Sequence, residues 1–84
     1  YPNPFNPMTT IAFELAASGR VRIDVFSIDG RRVRTLVDEN YGPGRHTAVF
    51  DGKDQTGRQV ASGTYLYVMQ GPGINQTRRM LLVK

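Results

Sequence analysis

Two aspartates, Asp51 and Asp54, stand in the glycine-rich stretch "DGKDQTGRQVASG", interleaved with Gly52 and Gly57. Closely spaced carboxylates in such a loop are the raw material of a calcium site. That pattern also requires oxygen donors at alternating positions and a late glutamate. Here Lys53 and Arg58 intrude and no glutamate follows. Asx-type turns, in which each Asp side chain accepts from loop N–H groups, suit the residues better. A weak cation site is the second reading, and no metal is assigned. The single histidine, His46, falls inside the strand-like run "RHTAVF", where a lone histidine is more often structural than acid–base or ligating. Glu14 and Glu39 lie in different segments, and Ser18, Ser27 and Ser62 have no base beside them in sequence. Nothing resembles a glycine loop that cradles phosphate at a helix start. Cysteine is absent, which removes thiolate chemistry and disulfides. The expectation is a chain that is not an enzyme and carries no cofactor.

Charge offers a different chemistry. Eleven basic and seven acidic residues give a net charge of +4. The arginines are scattered: Arg20, Arg22, Arg31, Arg32, Arg34, Arg45, Arg58, Arg78 and Arg79. Scatter at strand ends and alternate positions suits solvated sheet faces and edges, where charge suppresses sheet-to-sheet aggregation. Clustering would favour an anionic glycan, lipid headgroup or nucleic acid, and it is not seen. Neither nucleic acid nor membrane insertion is expected, since no segment approaches the roughly 18 apolar residues of a membrane helix.

These residues must sit on strands. "TIAFEL" alternates, with Ile11, Phe13 and Leu15 on one face. "RVRIDVFSI" alternates again, with Val21, Ile23 and Val25 inward and Arg20, Arg22 and Asp24 outward. Asp29-Gly30 signals a hairpin, after which "RRVRTLV" returns as a third strand. "DENYGPG" reads as a loop and "RHTAVF" as a fourth strand. The Asp/Gly stretch is a structured loop, "TYLYVMQ" a fifth strand, and "NQTRRMLLVK" a sixth after the "GPG" break. On the fifth strand Tyr65, Tyr67 and Met69 share one face while Leu66 and Val68 share the other. A two-sided apolar strand is central or covered by a partner. Tyr65, just after Ser62-Gly63, has the placement of a tyrosine corner. Gly63 is expected to need a positive φ or a close backbone approach. Six to seven short strands with regular turns and no helical period predict an all-β, antiparallel Ig-like β-sandwich in one domain, residues 1–84. The opening "YPNPFNPMTT" is stiff and extended, because Pro2, Pro4 and Pro7 fix φ and withhold ladder donors. Tyr1 and Phe5 can anchor it, and it is expected to be a domain boundary within a longer protein.

"YPNPFNPMTTIAFEL", "DGRRVRTLV", "GPGRHTAVFDGKDQTGRQVASGTYLY" and the terminal "RRMLLVK", in this order, resemble the C-terminal sorting domains of the type IX (Por) secretion system. That family is similar to the Ig-like domain of the flagellar hook-capping protein. Phe50 stands where the family often has Trp, and Arg79 where it has Lys. The resemblance implies a non-catalytic signal at the end of a larger passenger protein. It implies export to the periplasm, transport across the outer membrane by the type IX machinery, and removal by a surface sorting peptidase. The location implied is secreted, extracellular or cell-surface. The Asn75-Gln76-Thr77 sequon carries no glycosylation meaning in such a lineage.

The terminal run is the expected recognition element: Arg78, Arg79, Met80, Leu82 and Lys84. Pro2, Pro4, Asp51, Gly52, Gly57, Gly63 and Tyr65 are expected to be structural. Two other functions stay open. One is a carbohydrate-binding module, with Tyr41, Phe26 and a strand tyrosine as an aromatic platform. The other is a structural Ig-like spacer.

Overall fold

A computed structural model describes residues 8–83. The expectations for Tyr1, Pro2, Pro4, Phe5, Pro7 and Lys84 therefore lie outside the described residues. Six strands follow in order: β1 (Thr9–Leu15), β2 (Gly19–Ser27), β3 (Arg32–Tyr41), β4 (Gly44–Phe50), β5 (Gly63–Gly71) and β6 (Ile74–Leu82). They form two antiparallel sheets, a pair β1-β4 and a four-stranded sheet β3-β2-β5-β6. The all-β sandwich predicted from periodicity is the fold observed.

Period-two patterning decides which faces meet. Ile11, Phe13 and Leu15 of β1, with Ala48 and Phe50 of β4, are buried against Val21, Ile23, Val25, Val37, Tyr65, Met69, Met80 and Leu82 of the larger sheet. Alternation places each set on one face of its sheet. The core has two lobes, one around Ile23 and Met69 and one around Val25, Phe50 and Leu82.

Turn chemistry sets the registers. The β5–β6 turn holds only Pro72 and Gly73 between the paired Gly71 and Ile74. Pro72 presets its own φ, and Gly73 adopts φ 72°, the pattern of a type II turn. The β2–β3 hairpin is longer than an Asp-Gly two-residue turn. Gly30 N–H donates to the Ser27 carbonyl and Ser27 N–H to the Arg31 carbonyl, both at 2.9 Å. Only Gly30 of that turn has positive φ, so Ser27–Gly30 is a type I turn with Ile28 and Asp29 at its centre, closed by the left-handed Gly30.

β3 departs from the sequence reading. "DENY" is strand, not loop. Asp38, Glu39, Asn40 and Tyr41 pair with Arg22, Val21, Arg20 and Gly19. Cross-strand charge holds this polar stretch in the ladder, since Arg20 Nε donates to Asp38 at 2.8 Å. The β2–β3 register also shifts between Ile23 and Asp24 and between Val25 and Phe26. The extra β3 residues, Leu36 and Val33, pack on the core lobes.

The loop after β4 closes one end of the sandwich. Lys53 and Gln59 bridge, and Val60 N–H donates to the Gly52 carbonyl at 2.9 Å. Tyr65 is buried, and its hydroxyl donates back to the Ala61 carbonyl at 2.6 Å. This is a tyrosine-corner bond, which fixes the loop's exit into β5. Gly63 sits at that exit with φ 151°, and an added Cβ would meet nothing within 4 Å. Backbone conformation, rather than crowding, therefore demands glycine there. Gly63→Val should destabilise the fold by about 1–3 kcal/mol in urea unfolding. Unchanged stability would show that the loop exit relaxes freely.

Candidate functional site

The aspartate loop is built from its own hydrogen bonds. One Asp54 oxygen accepts from Thr56 N–H (2.9 Å), Thr56 Oγ1 (2.7 Å) and Arg58 N–H (3.0 Å). The Thr56 bond is foremost in holding the Asp54 carboxyl below its ordinary range. Asp51 accepts from Lys53 N–H at 3.1 Å and from Arg34 at 2.8 Å, so a β3 arginine ties the larger sheet to the end of β4. Gly52 and Gly57 supply the left-handed turns between these bonds, at φ 79° and 89°. Among the described residues no group of three or more His, Cys, Asp or Glu converges as a metal site.

A second polar cluster lies on the outer face of the large sheet. Asp24 faces outward as patterning requires, yet is only 6% exposed. It accepts from Arg22 Nε at 2.9 Å and Thr35 Oγ1 at 2.7 Å, with Arg32 Nε at 3.8 Å. Arginines from β2 and β3 thus roof it over, which alternation along one strand does not reveal. Desolvation is the largest single influence on this carboxyl and pushes it up. The hydrogen bonds from Arg22 and Thr35 and the charges of Arg22 and Arg32 outweigh it together, leaving Asp24 below the ordinary aspartate value.

His46 lies in a ring cluster with Tyr41 and Phe13, with centroids 4.7 and 5.5 Å away. Its Nε2 lies 2.7 Å from the Gly42 carbonyl oxygen. A carbonyl only accepts, so this bond requires the proton on Nε2. The histidine thereby pins the β3–β4 turn to β4. Burial, and then the Glu39 charge, raise the Tyr41 hydroxyl above its ordinary value.

Among the described residues the aromatic side chains form no platform. Tyr41 packs on the core beside Phe13, and Tyr65 and Tyr67 also belong to the core side. Phe26 pairs with Leu66 on the opposite face. An aromatic surface for sugar rings needs several rings on one face, and here Phe26 stands apart from Tyr41, Tyr65 and Tyr67.

The terminal strand is split by its pleat. Met80 and Leu82, grouped with the recognition element on sequence grounds, are core residues at 7% and 1% exposure. The sequence runs unbroken apolar from Met80 to Val83, and the other two residues of that run, Leu81 and Val83, are exposed at 65% and 62%. Arg78 and Arg79 are exposed. Arg78 donates to Gln76 at 2.7 Å, and Arg79 makes no hydrogen bond or ion pair among the described residues. Sequence reasoning missed Leu81 and Val83 as the available apolar side chains. Strict alternation from Met80 would have found them.

Two outcomes follow from these clusters. Excess chelator should leave the melting temperature unchanged, because the loop carboxylates are occupied by N–H and arginine donors; a fall of several degrees would make Asp51 and Asp54 ligands. Asp24→Asn should cost about 1–2 kcal/mol near neutral pH, with the half-open Arg22 keeping the value modest. A lowered carboxyl contributes stability above the ordinary carboxylate range and loses it as pH falls through the folded-state value. The gap between wild type and variant should therefore close in acid; a constant gap across pH would show that ionisation of Asp24 is irrelevant.

Comparison with known proteins adds one match. The family model described as the FlgD Ig-like domain matches residues 5–73. No curated protein and no solved structure matches the chain. The match ends in the β5–β6 turn, so β6 lies beyond it. With most of the sandwich covered and two antiparallel sheets packed face to face, the chain belongs to the FlgD Ig-like domain family.

Proposed function

We propose that this chain is a non-catalytic structural module, an Ig-like domain that forms part of a larger secreted protein and spaces or supports its neighbours. The observation that carries this reading is the use of its polar side chains. Asp24, Asp51, Asp54, His46 and Tyr65 all bind arginines, loop donors or carbonyls of the chain itself. Such groups brace a scaffold, whereas a reaction site needs several of them converging on a cavity.

A second, finer reading is a type IX sorting domain, recognised by the secretion machinery and by a surface peptidase and located at the cell surface after passage through the periplasm. The exposed Arg78, Arg79, Leu81 and Val83 at one strand support it, together with the ordered motifs from "YPNPFNP" to "RRMLLVK". A reporter carrying a signal peptide and residues 1–84 separates the two in hosts with and without the type IX system. A structural module leaves the reporter in the periplasm of both. Surface delivery that depends on the system would establish the sorting reading in its place. In that event Arg79→Ala with Lys84→Ala should block delivery while changing stability by no more than about 0.5 kcal/mol.

A further inference from the structure

The two edges of the large sheet are treated differently. At the β3 edge the loop folds back. Gln55 N–H donates to the Val33 carbonyl at 3.1 Å, and its side-chain oxygen accepts from Thr35 N–H at 2.8 Å. One glutamine thus takes the place of a neighbouring strand, and the register shifts beside it roughen the same edge. Covering and bulging are the usual means of blocking an edge. β6 has neither. It pairs with β5 over Ile74–Leu82 without a register shift, contains no proline, and has no second strand beside it among the described residues. An antiparallel ladder closed by a two-residue turn directs the N–H and C=O groups of Asn75, Thr77, Arg79 and Leu81 away from β5. Their side chains share the outer face, where Leu81 is exposed. An open depression of about 200 Å³ lies there, lined by Thr64, Arg79, Met80 and Leu81.

Among the described residues the strands of the small sheet are also bonded on one side only, but they offer less. β1 and β4 are shorter, and β1 turns Thr10, Ala12 and Glu14 outward. β4 carries the exposed Val49 and Arg45, but on seven residues; among the described residues only the nine-residue β6 joins a longer regular edge to an exposed apolar side chain and an unpaired cation.

We propose that the β6 edge accepts an extended acidic strand from a different protein, which adds to the sheet beside Thr77, Arg79 and Leu81. Charge selects that occupant. A second copy pairing antiparallel along the whole of β6 would set Arg78 opposite its own counterpart, and like charges directly opposite are destabilising. The chain's net +4 adds to that repulsion. A partner with a carboxylate facing Arg79 and an apolar residue facing Leu81 meets both side chains, and its backbone satisfies the open groups. The inference goes beyond the structural-module reading and does not depend on the type IX reading.

The probe is a dye-labelled nine-residue Thr/Val peptide with one Glu placed to face Arg79, compared with the same peptide carrying Lys. Fluorescence anisotropy with the full 84-residue chain should show at least about tenfold tighter binding of the Glu peptide. Arg79→Glu should invert that preference. Thr77→Pro should abolish binding of both peptides with little change in melting temperature, because the N–H it removes points away from β5. Equal affinity for the two peptides, binding of neither, or undiminished binding by Thr77→Pro would overturn the proposal. So would a dimer in sedimentation that Thr77→Pro dissolves, since the occupant would then be a second copy. Arg79→Glu keeps the test decisive if the proline variant fails to fold.

Discussion

Two strands cannot cover four. The β1–β4 pair presents one narrow apolar face to the broader sheet β3-β2-β5-β6, and most other features respond to that mismatch. Buried apolar area is the main source of stability for a chain this small, and no disulfide supplements it. The loop after β4 therefore extends the cover. Val60 packs on the lobe around Phe50 and Leu82, and Val33 and Leu36 reach the core through shifts in the β3 register. Arg34–Asp51 ties the loop's start to the large sheet, and Tyr65–Ala61 ties its end. The polar loop is thus a lid over part of the core, which explains why its aspartates are committed to internal bonds.

The same mismatch explains the asymmetry of the edges. The loop that completes the core lies beside β3 and blocks that edge through Gln55. β6, on the far side, receives no such cover from the described residues. The outer face between them is managed by charge near β2 and β3, where Asp24, Arg22, Arg32, Arg20 and Asp38 neutralise one another. Toward β6 apolar side chains join it, Phe26, Leu66 and Leu81, beside Thr77 and Arg79. The surface therefore changes character across a single sheet.

Most of the architecture was legible in the sequence because it rests on local rules. Ile11, Phe13 and Leu15 alternate, as do Val21, Ile23 and Val25, and glycine and proline mark the turns. What escaped were lateral contacts. Asp38, Glu39 and Asn40 look like loop until Arg20 and Arg22 are placed beside them. Asp24 looks exposed until arginines from two strands converge on it. Gln55 looks like any loop residue, because its partners Val33 and Thr35 are some twenty positions away. Side-chain direction in β6 was obscured by an unbroken apolar run, which period two divides into the buried Met80 and Leu82 and the exposed Leu81 and Val83.

The placement of β1 and β6 has a mechanical consequence. Among the described residues each is hydrogen-bonded to one neighbouring strand only, β4 and β5 respectively, and the two belong to different sheets. A tensile load applied through these strands has no continuous hydrogen-bond ladder to follow. It must cross from layer to layer through side chains such as Ile11, Phe50 and Leu82. Dispersion contacts of that kind are individually weak and non-directional, so they yield by sliding, whereas a ladder pulled along its length must break many bonds at once. Under force the layers would therefore part at their shared apolar interface while each ladder stayed intact, and the module would act as a compliant link in a chain under tension.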